Sequence, residues 1–316
     1  MYDTLKREVS YMTEYILETK GLTKKYGNFT AVRDINLHVR KNDIYGFVGK
    51  NGAGKSTCMK MISGLCHPTA GTISMFGCHG DERELNREGA YAHIGALIES
   101  PAFYPNLSGY DNLDLIAKSI GDVTRKDIEE TLDIIGLTSA ADRKAKGYSF
   151  GMKQRLGIGS ALLTHPKFLI LDEPINGLDP QGIAEIRELI QRLVSEKDMS
   201  VMISSHILGE LEKIAKNIGI IHKGELLCEF NKEQFLKEHE GSVLLETPDA
   251  DKVKALLQEY PGSTCKENDK GQLTISGCLL PLGSLIRELV RRDVYINRIE
   301  EQRMSLEQYY LGLTSD

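Results

Sequence analysis

The chain has no tryptophan, no CxxC pair among its six cysteines, and nothing near the ~18 consecutive apolar residues of a membrane span. Each absence narrows function. Without clustered His and Cys there is no zinc module to read, and the cysteines suit small core residues of a reduced, cytosolic chain. The longest strongly apolar stretch is Phe168 to Leu171, so no direct membrane insertion is expected. An excess of basic residues is lacking too: 39 Lys and Arg stand against 45 Asp and Glu, a net charge of −6. That balance gives no global footprint for nucleic acid, and no nucleic-acid partner is expected. The opening MYDTLKREVSYMTEY carries several charges and no apolar h-region, so it does not read as a signal peptide. Residues 1–14 read as an N-terminal extension of no assigned role.

What is present builds cores. At 316 residues and 41% hydrophobic, the chain has material for two domains without staples. Apolar residues alternate from Tyr15 to Thr19 and again from Ile35 to Val39, the pattern of half-buried strands. A buried-strand run, Ile44 to Val48, leads through a glycine loop into an apolar-periodic helix with Met59, Met61 and Ile62. From about 100 to 147 the spacing turns helical, with Leu113, Ile116, Ala117 and Ile120 on one face and Ile128, Leu132 and Ile135 on the next. A helix-like segment from Ser149, a strand at Phe168 to Leu171, a helix from Gln181 to Ser195 and strands at Val201 to Ile203 and Ile218 to Ile221 follow. Strands alternating with helices indicate an α/β fold with a mainly parallel sheet. The tail from 225 to 316 reads as a small α+β domain in the order β-α-β-β-α-β. Its helices carry Val253, Leu256, Leu257 and Tyr260, then Leu282, Leu285, Ile286, Leu289 and Val290, and its last strand is expected at Val294 to Ile299.

Gly49-Lys50-Asn51-Gly52-Ala53-Gly54-Lys55-Ser56 fits G-x-x-x-x-G-K-[ST]. Its glycines let backbone N–H groups close around phosphate oxygens, and the helix that follows, through Thr57, presents its positive end. In this reading Lys55 neutralises the β- and γ-phosphates of a nucleotide, and Ser56 offers a hydroxyl to Mg²⁺. Downstream, Phe168 to Leu171 ends in Asp172-Glu173, two carboxylates at the C-terminal edge of a central strand, where α/β sheets place ligands. Asp172 suits the Mg²⁺ shell. Glu173 suits the orienting or deprotonation of the attacking water.

The ordered set GKNGAGKST, YSFGMKQRL, FLILDEP, NGLD and SSH resembles the ATP-binding subunit of an ATP-binding cassette (ABC) transporter, over roughly residues 15–224. The resemblance implies a P-loop ATPase core with an added antiparallel β subdomain and a helical insertion. It implies ATP and Mg²⁺ as cofactors, and hydrolysis of ATP to ADP and phosphate. Tyr26 stands where the family stacks an aromatic ring on adenine. His206 matches the histidine that contacts the γ-phosphate. The signature, usually LSGGQ, reads here Tyr148-Ser149-Phe150-Gly151-Met152. Ser149 and Gly151 survive to cap an ATP held by a second subunit, so a head-to-tail homodimer is implied, with Asp179 in the loop linking the two sites. Phe150 and Met152 depart from the signature, and Phe150 must point away from the nucleotide for the motif to work. Ile175 stands where Thr or Ser is usual.

A further departure lies at the lid, where the family usually has glutamine and this chain has Glu99. A carboxylate there can ligate Mg²⁺ or accept from water but cannot donate as an amide does. The same change, together with YS-x-GMKQRL, is typical of the bacitracin-resistance and lantibiotic-immunity group of these ATPases. That similarity implies export of an antimicrobial peptide through a separate membrane permease, docked against the groove from Glu99 to Asn112, with the chain peripheral on the cytoplasmic face of the membrane. Two rivals remain open: a soluble cassette ATPase not coupled to transport, and an exporter of another cargo such as a drug or lipid. The short stretch between Lys55 and Ser149 disfavours chromosome-maintenance relatives with inserted coiled coils. Glu173 and His206 disfavour a non-catalytic regulator.

Overall fold

In a computed structural model of the chain, the described residues are 14–80, 82–238, 242–268, 271–277, 280–302 and 306–314. Residues 1–13, nearly all of the expected extension, lie outside them, as does Cys278. Two compact units divide the chain, 1–232 and 233–316.

The first unit opens with an antiparallel layer. In it β1 (Tyr15–Tyr26) pairs with β2 (Phe29–Ile35), β3 (His38–Arg40) and β5 (Ala70–Met75), and β5 carries β6 (Cys78–Gly80) on its far edge. The single strand expected from Ile35 to Val39 is broken at Asn36 and Leu37. The Thr19 hydroxyl donates to the Ile35 carbonyl and accepts from the Leu37 N–H, both at 2.9 Å, so the backbone is satisfied without a continuous ladder.

The second layer is a six-stranded sheet in the order β11 (Glu225–Asn231), β10 (Asn217–His222), β4 (Ile44–Val48), β9 (Ser200–Ser205), β8 (Phe168–Leu171), β7 (Ile94–Leu97). Every pairing is parallel except the β10–β11 hairpin. β4, β8 and β9 are buried along their whole length, which is why β4, β8 and the Val201 to Ile203 centre of β9 read as apolar runs and not as alternating patterns. Residues 225–231 were expected to belong to the C-terminal domain, whose first strand was read only at Ser242 to Leu245. Instead Lys223 and Gly224, at φ 48 and 84, make the tight left-handed turn that suits strand twist, and β11 folds back on β10. The division between units accordingly falls after Lys232.

The unit's helices are α1 (Lys55–Ile62), α2 (Glu82–Arg87), α3 (Gly109–Ile120), α4 (Arg125–Ile134), α5 (Phe150–Leu162), α6 (Pro180–Lys197) and the short α7 (Leu208–Leu211). α3 and α4, the helical insertion, each begin on a reciprocal cap, Ser108 with Asp111 and Thr124 with Asp127. They bury Leu113, Ala117, Ile128 and Leu132 as the spacing requires, whereas Ile120, at the end of α3, is exposed.

α8 (Lys232–Glu238) follows β11, and the second unit then runs β12 (Ser242–Glu246), α9 (Ala250–Leu257), β13 (Thr264–Glu267), β14 (Gln272–Ser276), α10 (Leu282–Arg291) and β15 (Arg298–Gln302). Its antiparallel sheet has the order β13-β14-β12-β15, over a core that includes Val243, Leu245, Val253, Leu273, Leu285 and Leu289. Three details differ from the sequence reading. Tyr260 lies past the end of α9, packed half-buried against this core. Val290 is exposed on α10. The last strand starts at Arg298 and not Val294, because the Val294 N–H turns back to the Leu289 carbonyl at 3.0 Å and pairing with β12 begins only near Asn297, whose N–H reaches the Glu246 carbonyl at 2.9 Å. A helix not foreseen, α11 (Leu306–Leu313), comes last.

Candidate active site

The fold brings the C-terminal ends of β4, β8 and β9 together, and the residues singled out in sequence converge there. β4 runs into the glycine loop and α1. Gly54, at φ 109, occupies the N-cap of α1 with no side chain to cap it, so the helix's first N–H groups face the loop. A side chain at Gly54 would also meet the Ala31 carbonyl, its added carbon 2.9 Å from that oxygen. Ala53 is buried, its carbonyl accepting from Gly224 N–H at 2.9 Å, which pins the loop to the β10–β11 turn. Lys50, Asn51 and Gly52 form the exposed crest; Gly49, at its base, and Ser56 and Thr57, half-buried at the start of α1, complete the set.

Lys55 is only 5% exposed, and Nζ donates to the Gly49 carbonyl at 2.6 Å and the Lys50 carbonyl at 3.2 Å. The ammonium therefore threads back into its own loop. Its third neighbour is Glu173 Oε1 at 3.1 Å, an ion pair whose angles fall outside hydrogen-bond geometry. The other oxygen, Oε2, lies 2.6 Å from His206 Nδ1. Glu173, Lys55 and His206 thus form one contiguous group. Asp172 is buried beside them, Oδ1 accepting from the Ser204 hydroxyl at 2.6 Å. Its carboxylate and the Ser56 hydroxyl are the hard oxygen donors that suit Mg²⁺.

Ser204 escaped the sequence reading. It is the penultimate residue of β9, part of the SSH that was read for His206 alone, and its contacts run to residues far away in the chain.

Tyr26, at the end of β1, is 51% exposed, with Lys24 Nζ 5.1 Å from its ring centroid and its hydroxyl 3.5 Å from Cys66 Sγ. That hydrogen bond, ahead of slight burial, raises its pKa. An aromatic face open to solvent is available for stacking.

Glu99 takes φ 66 just past β7, and its carboxylate pairs with Lys60 Nζ at 2.6 Å. Lys60 stands one helical turn after Ser56, on the same side of α1, so the lid carboxylate is tethered beside the residue assigned to Mg²⁺. The Lys60 ammonium holds Glu99 below the usual carboxylate range, by hydrogen bond first and by charge second. Further along this lid, buried Asn112 accepts from Tyr104 N–H at 2.7 Å and donates to the carbonyls of Tyr104 and Ser108. That brace presents the Tyr104 ring to solvent.

Ser149 and Gly151 lie apart from the glycine loop's own group, lining a cavity of about 480 Å³ with Phe150, Met152 and Asp179. Ser149 caps α5, its hydroxyl accepting from Met152 N–H at 3.2 Å. Asp179 caps α6, accepting from Gly182 N–H at 2.9 Å. Phe150 is 54% exposed, with its ring edge against Gly177. Arg143 donates to the Met152 sulfur at 3.2 Å, in the place where the family signature has an amide.

Comparison with known proteins gives these groups a lineage. The sequence pattern described as "ABC transporter" matches residues 32–176. The bacitracin transport ATP-binding protein BcrA of Enterococcus faecalis is 41% identical over 95% of this chain and 96% of its own. The chain belongs to the ABC transporter ATP-binding family. Another member, the lantibiotic transport ATP-binding protein SrtF of Streptococcus pyogenes, is 43% identical over 73% of this chain and 94% of its own. Among solved ABC cassettes, a dimeric structure in a post-hydrolysis state bound to ADP and phosphate is 25% identical, with a TM-score of 0.60 over 68% of this chain and 98% of that one. The family core, α/β with parallel and antiparallel strands and a helical insertion, is the architecture of the first unit. Among the described residues no helix is long and apolar enough to cross a membrane.

Proposed function

We propose that the chain hydrolyses Mg²⁺-bound ATP in a site completed by a second copy, and that this drives a separate membrane permease exporting a peptide antibiotic of the bacitracin or lantibiotic class. The observation that carries the hydrolytic reading is the simultaneous contact of Glu173 with Lys55 and His206. A triphosphate entering the glycine loop competes with Glu173 for Lys55. Once displaced, the carboxylate accepts the proton of a water whose oxygen attacks the γ-phosphorus, and the bond to the β–γ bridging oxygen breaks with its electron pair leaving on ADP. His206 holds Glu173 during this exchange and donates toward the γ-phosphate. Ser56 and Asp172, with Glu99 beside them, would hold Mg²⁺, which supplies charge neutralisation of the phosphates when bound.

Two features support the assembly. Ser149 and Gly151 line a cavity to which no glycine-loop residue of their own chain contributes, which suits closure over a nucleotide held by a second copy. Tyr104, braced by Asn112, offers an exposed aromatic contact on the lid for the permease. As the ATP-binding partner of a separate permease, such a subunit works peripherally, at the cytoplasmic face. The cargo class rests on the two relatives, a bacitracin and a lantibiotic transport ATP-binding protein. The test is Glu173→Gln: Mg²⁺–ATP still binds and phosphate release falls by at least about 10²-fold. Turnover at the unmodified rate overturns the assignment.

A further inference from the structure

We propose that Ser204 is the positioning residue that sets both site carboxylates, aiming Asp172 and clamping the backbone of Glu173. The proposal rests on the hydrolytic reading above and gives a role to a residue of the SSH motif that was read only for its histidine. Ser204 lies in β9 between two parallel neighbours, opposite Phe47 of β4, while the adjacent Ile203 lies opposite Leu171 of β8. It is fully buried, so its hydroxyl must find partners inside the protein. It finds two. The O–H donates to Asp172 Oδ1 at 2.6 Å, and the oxygen accepts from the Glu173 N–H at 2.9 Å.

The second contact matters because of what the chain does at Glu173. In an extended strand Asp172 and Glu173 would point to opposite faces of the sheet. Glu173 instead adopts φ 52, a left-handed conformation that a non-glycine residue takes only where its surroundings hold it. That turn breaks the alternation and lets both carboxylates meet groups on β9 and the loop after it, Asp172 at Ser204 and Glu173 at His206. One hydroxyl therefore fixes the direction of the carboxylate assigned to Mg²⁺ and the backbone of the carboxylate assigned to water. Removing it orphans a partly buried N–H and takes a donor from a buried carboxylate.

The test compares the full chain with Ser204→Ala, Ser204→Val and Ser204→Thr. Val and Thr have one shape and differ by the hydroxyl. Three quantities are read: kcat and KM for Mg²⁺–ATP, the affinity for ATP with and without Mg²⁺, and the melting temperature. Ala and Val are expected to lower kcat by about 10- to 100-fold, with the affinity for metal-free ATP kept within about threefold and the gain in affinity on adding Mg²⁺ reduced. Thr is expected to restore kcat and that gain. If the added methyl lowers the melting temperature, Ser204→Ala, which adds no atoms, decides. Unchanged kcat and an unchanged Mg²⁺ gain in the Ala variant, or equal kcat in Val and Thr, overturn the clamp alone. Absence of Mg²⁺–ATP hydrolysis in the unmodified chain overturns the underlying reading as well.

Discussion

Glu173 holds Lys55 with one carboxylate oxygen, at 3.1 Å, and His206 Nδ1 with the other, at 2.6 Å. The carboxylate is thus poised between the residue assigned to phosphate and the residue assigned to steady the carboxylate itself. His206→Ala removes the second hold without touching the glycine loop. The expected outcome is a fall in kcat of about 10²- to 10⁴-fold with the ATP dissociation constant little changed. Steady-state phosphate release alongside equilibrium nucleotide binding checks it, and a loss confined to binding would show that His206 serves the ground state.

The Lys60–Glu99 pair sets a pH dependence. Because Lys60 lowers the Glu99 pKa, the anionic lid persists to lower pH than an isolated carboxylate would. Lys60→Met removes both causes of that lowering, so Glu99 takes up its proton at higher pH. The acid-side decline of kcat/KM is expected to move upward in pH for this variant, and Glu99→Ala to abolish the difference. Superimposed acid limbs for Lys60→Met and the unmodified chain would remove Glu99 from the metal and water assignment.

Two cysteines report on the adenine assignment. Cys66 Sγ lies 3.5 Å from the Tyr26 hydroxyl at a half-buried position, so a base stacked on Tyr26 shields it. Cys58 is fully buried in the core, and burial pushes its thiol up to about 12. With iodoacetamide near pH 8, Cys66 is expected to be alkylated several-fold more slowly under saturating ATP, while Cys58 stays unlabelled in the folded chain throughout. Peptide mass spectrometry separates the two. Equal Cys66 rates with and without ATP would place adenine elsewhere.

Residues that act through contiguous motifs were legible before any fold was known. The glycine loop, Asp172-Glu173 and His206 each follow a buried strand, and the apolar runs of β4 and β8 announce a sheet buried on both faces. Contacts made across long stretches of sequence were not. Ser204 looks like any small residue inside a strand, Lys60 like any exposed helix lysine, and Cys66 gives no hint of Tyr26. The position of β11 was missed because Lys223-Gly224 reads as a boundary, although the left-handed pair at those residues turns the chain straight back onto β10. Thr19, which supplies the bonds at the break between β2 and β3, likewise gave no local sign.

Shared occupancy of ATP by two copies is the claim on which the rest depends, and Gly151 tests it cleanly. A carbon added there meets Leu178 at 3.6 Å, an ordinary contact, so Gly151→Asp fits the isolated fold while placing a carboxylate where the other copy's γ-phosphate would lie. Light scattering during size exclusion, with Glu173→Gln to prevent turnover, reads the outcome. The chain is expected to run as a dimer with Mg²⁺–ATP and as a monomer without it, and adding Gly151→Asp is expected to return it to monomer with ATP present. A Glu173→Gln chain that stays monomeric under saturating Mg²⁺–ATP, or a double variant that dimerises just as well, would contradict the account.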